Sequence, residues 1–397
     1  MSLSTKISTK KEMKVPSDLP YEIKEMILMH LDTYTIRMMG ENVVPPYIWL
    51  RKKDEYIEEA AKEGNLVGLK YLVETQGIDN IDDIDFDVAL VAASANGYLD
   101  IVKYLVEECD VYNEYDAIDA AAENGNLNIV KYFIENNDID FDNLDFDDSD
   151  FDDDIDDYYH VLIISAENGH LHIVKYLIEE YHIDIFLYDD CEELDLSIEN
   201  NHIEVVKYLL DQYNDYYYNE YALLIATTCN HIEIVKYLVE ERNTDIDNYF
   251  LESSARQGYL EIVKYFIEHG VSDKSKAVRA AAIYGHLEVV KYLVEECGVS
   301  VKRKHKYSLH LIAKNGHIEM IKYLVSKGAN IRTNINTTLQ LSAKHGHLEI
   351  VKYLVEEHRA VIDDCVILLS AKKGHIEVIK YLVLRQYLYI DKNAIDL

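Results

Sequence analysis

No stretch of the 397 residues stays apolar for the roughly 18 residues that a bilayer crossing needs, so no segment reads as a membrane span. The five cysteines, Cys109, Cys191, Cys229, Cys297 and Cys365, are odd in number, far apart and never in a Cys-x-x-Cys pair. That excludes a disulfide framework and a cysteine zinc site, and reads them as small reduced core residues of an intracellular chain. Missing too are GxGxxG, a P-loop, HExxH and GxSxG, so the sequence offers no catalytic residue and no cofactor or metal site. Basic residues are scarce in the middle. Residues 55–270 hold 10 Lys or Arg against 53 Asp or Glu, net −43, within a whole chain of −34. Residues 1–54 carry +2, 271–300 are neutral, and 301–397 carry +7. A middle this acidic repels phosphate, which argues against a nucleic-acid partner and for a protein with a basic surface.

What the chain has in abundance is one short pattern. Lys-Tyr recurs eleven times, at Lys70, Lys103, Lys131, Lys175, Lys207, Lys236, Lys264, Lys291, Lys322, Lys352 and Lys380. Six residues before each lysine stands Gly64, Gly97, Gly125, Gly169, Asn201, Asn230, Gly258, Gly285, Gly316, Gly346 or Gly374. That offset never changes, while successive lysines lie 27 to 44 residues apart. Each unit therefore has a rigid part and an elastic part, the signature of a repeat array.

The rigid part reads as two helices. Within residues 99–107, Ile101, Val102, Leu105 and Val106 fall on one arc and Asp100, Lys103 and Glu107 opposite it. Upstream, the position seven before the glycine is always apolar, and the position four before it is Ala or Ser everywhere except Ile312. The small residue lets neighbouring helices approach. The glycine ends the first helix in the left-handed conformation, which asparagine tolerates best after glycine. Helices of about nine residues are marginal alone, so the units must stack to share a core.

These residues carry a family resemblance. Tyr307-Ser-Leu-His-Leu-Ile-Ala-Lys-Asn-Gly-His317 resembles the ankyrin signature Thr-Pro-Leu-His-x-Ala-Ala-x-x-Gly-His, and Gly346-His-Leu-Glu-Ile-Val-Lys-Tyr-Leu-Val355 its second helix. The resemblance covers residues 51–386. It implies an all-α ankyrin-repeat solenoid of about eleven helix-turn-helix units, with a binding surface made by fingers and first helices. Several units are shorter than the family period of about 33 residues, so the fingers are expected to be clipped. Asparagine, isoleucine and tyrosine richness with Lys-Tyr-Leu in nearly every unit is similar to the large ankyrin families of giant, mimivirus-like DNA viruses of amoebae. That likeness implies a host-cell cytoplasmic or nuclear setting and host or viral protein partners.

Residues 1–17 read as a disordered tail. Residues 18–50 form a separate short helical segment. Leu19, Pro20, Ile23, Ile27, Leu28 and Leu31 match the opening of an F-box, Leu-Pro-x-Glu-Ile-x-x-x-Ile-Leu-x-x-Leu. That resemblance implies docking on the linker subunit of a cullin-type ubiquitin ligase. The same apolar stripe would serve equally as a cap on the first repeat. The longest interval holds the acidic insert 138–157, where Phe141, Phe146 and Phe151 alternate with aspartates. Its Asp spacing resembles a calcium loop but lacks the central glycine and closing glutamate, so it reads as a solvated loop whose aromatics can form a binding motif. Lys302-Arg-Lys-His-Lys306 is a basic cluster that reads as a solvated finger loop. His170, His202, His231, His286, His317, His347 and His375 recur with the repeat and are read as structural. Residues 387–397 are a C-terminal tail. The expectation is a monomeric protein-interaction module without cofactors, either a ubiquitin-ligase substrate adaptor or a plain scaffold or decoy.

Overall fold

The computed structural model describes residues 57–74, 86–111, 113–136, 153–183, 185, 191–302 and 309–395. The N-terminal segment with Leu19, Pro20, Ile23, Ile27, Leu28 and Leu31, the three phenylalanines of the acidic insert, and most of the basic cluster lie outside these residues.

Every described element is helical, and the elements alternate as the repeat requires. In the seventh repeat a first helix, Asn248–Gln257, is followed by a second, Leu260–Glu268, with Gly258 and Tyr259 between them. The eleven helix ends share one geometry. All nine glycines and both asparagines at the turn have positive φ, from 63° at Asn201 to 88° at Gly258 and Gly285. The next residue donates its backbone N–H to the carbonyl of the residue four before the turn, at 2.8 to 3.3 Å in all eleven repeats. This is the Schellman arrangement, and it satisfies carbonyls that a helix end leaves unpaired. The small residue is needed at the same place: Ala60, Ala93, Ala121, Ser165, Ser197, Ala226, Ser254, Ala281, Ser342 and Ser370 are all fully buried, as is the exceptional Ile312.

Two compact units divide the chain, Met1–Tyr208 and Leu209–Leu397. Within each, successive first helices pack side by side, as Asn248–Gln257 does on Ser275–Tyr284. The apolar residue seven before the turn lies in the core of every repeat but the last. Leu90, Leu162, Leu194, Leu223, Leu251, Val278 and Leu339 are fully buried, while Ile367 is only half-buried. Fully burying such a side chain contributes about 1.5–3 kcal/mol, so these columns supply much of the cohesion between repeats. The all-α ankyrin-repeat class is the one the sequence implies.

The described fingers are short. Seven residues join Glu240 to Asn248, six join Glu268 to Ser275, and two join Tyr213 to Tyr216. No strand occurs among the described residues.

Three expectations need correction. The acidic insert does not run as loop to residue 157, because the helix Asp153–Glu167 takes in its last five residues. Aspartates in a first turn are stabilised by the positive end of the helix dipole, so this composition starts a helix as readily as it avoids one. The C-terminal tail is not separate. The last helix runs Ile376–Ile395 without interruption, since no glycine or proline follows Val383 to stop it. The cysteines are not uniformly core residues. Cys109 and Cys191 are buried, Cys229 and Cys297 half-buried, and Cys365 exposed.

Candidate interaction surface

The second helices are occupied with one another. His170, His286 and His347 are the N-caps of second helices yet cap nothing with their rings. They and His375 reach back instead. His170 Nε2 lies 2.8 Å from the Glu123 carbonyl, His286 Nε2 2.8 Å from that of Arg256, His347 Nε2 2.8 Å from that of Lys314, and His375 Nε2 3.0 Å from that of Lys344. A carbonyl only accepts, so each Nε2 carries the proton. In the third repeat Asn126 does the same work, donating to the Ser94 and Ala95 carbonyls. In the seventh, Tyr259 donates to Thr228 at 3.1 Å. These four histidines thus tie one repeat to the one before it.

The Lys-Tyr pair builds a second ladder. In four repeats the tyrosine hydroxyl donates to the glutamate that stands four residues after the lysine of the preceding repeat: Tyr132 to Glu107 at 3.2 Å, Tyr265 to Glu240 at 3.0 Å, Tyr323 to Glu295 at 3.1 Å and Tyr381 to Glu356 at 3.0 Å. Preceding lysines lie over rings of the same column, with Lys103 Nζ 5.3 Å from the Tyr132 centroid, Lys131 Nζ 4.3 Å from that of Tyr176 and Lys70 Nζ 4.8 Å from that of Tyr104. These are cation–π distances. The lysines also pair with the glutamate three residues before them, as in Lys264–Glu261 at 2.9 Å. Burial, aided by the neighbouring glutamates, holds the Tyr132 and Tyr176 hydroxyls protonated up to about 12. No single repeat displays these bonds, because the partner lies a whole repeat away.

The first helices and fingers face solvent differently. Among the described helices of the second to tenth repeats, the large exposed apolar side chains are Val88, Tyr115, Tyr216, Tyr217, Tyr249 and Tyr284, every one on a first helix. Among the described residues, second helices expose such side chains only in the first repeat, at Val67, and the last, at Ile376, Val383, Leu384 and Tyr387.

The densest group lies in the sixth and seventh repeats. Asp215 caps the helix Tyr216–Thr228 by accepting from the Tyr217 N–H, and Asp247 caps Asn248–Gln257 by accepting from Tyr249 and Phe250. These caps set Tyr216, Tyr217 and Tyr249 at the helix starts, facing out. Tyr217 is 67 % exposed and Tyr249 60 %. Tyr217 and Tyr221 present nearly parallel rings 6.4 Å apart, and Tyr218 stacks at 4.2 Å on buried Tyr213. The Tyr216 hydroxyl lies 3.3 Å from Asp245, which ties the patch to the next finger. Tyr221 and Tyr249 hold the same register, nine residues before Asn230 and Gly258, on first helices that touch.

The surroundings are acidic. Residues 209–252 contain nine acidic and two basic residues, and both cations are engaged, Lys236 with Glu233 at 2.8 Å and Arg242 with Asp211 at 2.6 Å. Among the described residues no lysine or arginine forms an ion pair with Glu220, Asp245 or Asp247. The signal for this patch was in the sequence as Tyr216-Tyr217-Tyr218 and Tyr249-Phe250, but it has no period and the repeat frame hid it. Among the described residues no cluster of His, Cys, Asp or Glu is placed to hold a metal, and no helix is long and apolar enough to cross a membrane.

Comparison with known families agrees with the geometry. The model described as ankyrin repeats, in three copies, matches residues 57–145, 142–220, 214–277, 251–335, 278–365 and 309–396, windows that overlap from residue 57 to residue 396. No curated protein matches the chain.

Proposed function

The chain belongs to the ankyrin-repeat family, and on that premise we propose that it holds a partner protein of basic surface on its first-helix face. One observation carries this reading: Lys-Tyr helices bond their tyrosines and glutamates to each other, while the first helices of the interior repeats turn Val88 and five tyrosines to solvent. Tyrosine suits such a face, since it offers a large contact area at little cost in conformational entropy. The acidic surplus of residues 55–270 selects for positive charge and speeds encounter.

The sharper form of the proposal is a substrate adaptor. The F-box-like stripe of Leu19, Pro20, Ile23, Ile27, Leu28 and Leu31 would engage the linker subunit of a cullin-type ubiquitin ligase, while the repeats hold the target. The second reading is a scaffold or host-factor decoy in which that stripe caps the first repeat. The short span between Leu31 and buried Ile57 favours it. Affinity purification with mass spectrometry separates the two. Recovery of cullin and linker, lost on Ile27→Asp with Leu31→Asp, supports the adaptor. Partner proteins recovered without them support the scaffold, and a chain that captures no protein sinks both.

A further inference from the structure

We propose that the tyrosine patch of the sixth and seventh repeats is a docking place for arginine side chains in a basic segment of the partner. This deepens the protein-binding reading above and rests on it.

The charge of the patch decides the sign of the occupant. Its carboxylates outnumber its cations nine to two, and the two cations are already paired. A neutral or acidic segment laid over Tyr217 and Tyr249 would leave Glu220, Asp245 and Asp247 partly desolvated without a counter-charge, which is unfavourable. A cationic segment neutralises them.

The rings decide which cation. Arginine and lysine both sit over aromatic faces, but the guanidinium is planar, less strongly hydrated and able to stack while its edge bonds carboxylates. The patch supplies both elements together: exposed ring faces at Tyr217 and Tyr249, and carboxylates at Asp215, Glu220, Asp245 and Asp247, all exposed. The chain already shows the arrangement once on its own first helices, where Arg256 of the seventh repeat lies with Cζ 5.9 Å from the ring centroid of exposed Tyr284 in the eighth. Tyr221 and Tyr249 hold one register on adjacent helices, so an extended segment crossing the repeats meets a ring at each.

The test must separate this patch from the general acidity of the chain. The probe is a short labelled peptide of alternating arginine and glycine, titrated into the full chain and followed by fluorescence anisotropy at physiological salt. Replacing Tyr217 and Tyr249 by Ala leaves the net charge unchanged, and both side chains are exposed enough for the fold to persist, which a thermal melt checks. The expected result is a loss of affinity on the order of tenfold. The Tyr217→Phe and Tyr249→Phe pair, which keeps the ring faces, should bind within a few-fold of the unsubstituted chain. A lysine–glycine peptide should bind more weakly than the arginine one. Equal binding by the alanine pair and the unsubstituted chain would overturn the patch, and equal binding of the two peptides would overturn the preference for arginine. The alanine pair is also used to capture partner proteins beside the unsubstituted chain. Undiminished capture removes the patch and leaves the protein-binding reading standing, whereas no capture by either chain removes that reading itself.

Discussion

Replacing Gly258 by alanine tests why the repeat keeps a glycine at its turn, because two costs coincide there. The first is conformational. Gly258 has φ +88°, and holding an L-residue in that region costs about 1–2 kcal/mol. The second is steric and comes from the next repeat. A Cβ at Gly258 would overlap Nδ1 of His286 and stand 2.7 Å from its Cε1. The ring would have to leave the Arg256 carbonyl, which it now meets at 2.8 Å, and losing that hydrogen bond adds about 1 kcal/mol. The expected total is about 2–3 kcal/mol. Gly270 isolates the first cost, since its φ is +96° and a Cβ there meets nothing within 4 Å. His286→Ala isolates the second, because without the ring Gly258→Ala should cost no more than Gly270→Ala. Repeat arrays need not unfold in one step, so the readout is local: hydrogen-exchange protection of the helices Asn248–Gln257 and Leu260–Glu268, which these turns end, in the four variants. Equal penalties at Gly258 and Gly270, or a Gly258→Ala penalty unmoved by His286→Ala, would refute the reasoning.

Three further outcomes are expected. Tyr265→Phe should cost about 1 kcal/mol by removing the hydroxyl that donates to Glu240, read as faster amide exchange in the helix Leu260–Glu268. Alkali should destabilise the array. Burial keeps Tyr132 and Tyr176 protonated to about 12 in the folded chain against an ordinary value of 10.0, so their contribution is whole below pH 10 and falls as pH rises towards 12. A pH titration of thermal stability checks this, and Tyr132→Phe should flatten it. Acid acts oppositely at His317, whose imidazole is held below its usual 6.5 by burial and then by His286 and His347. Its contribution is whole above 6.5 and falls as pH drops below it, so His317→Gln should lose less stability than the parent over that range.

Much of the fold could be read directly, because its rules are local. A glycine or asparagine six residues before Lys-Tyr fixes a helix end, and all eleven such positions have positive φ. What could not be read lies between repeats. Sequence alone suggests that Gly258 needs a left-handed backbone, and only the stacked neighbour reveals that His286 also fills the space a side chain would take. The Tyr265–Glu240 bond joins residues 25 apart in a register no single repeat displays. The helical start at Asp153 escaped a reading that equated aspartate with loop. Tyr217 and Tyr249 escaped because periodicity was the filter: residues that serve a partner rather than the stack need not recur. The F-box-like stripe and the three phenylalanines of the insert fall outside the described residues, and the role given to the stripe is a proposal.

The measurement that bears most directly on the central claim is amide hydrogen exchange on the full chain, alone and with a captured partner protein bound. Binding through the first-helix face predicts slowed exchange at the starts of Tyr216–Thr228 and Asn248–Gln257, with Leu260–Glu268 and the other Lys-Tyr helices unchanged. Protection confined to the Lys-Tyr helices, with the first helices exchanging as in the free chain, would contradict it.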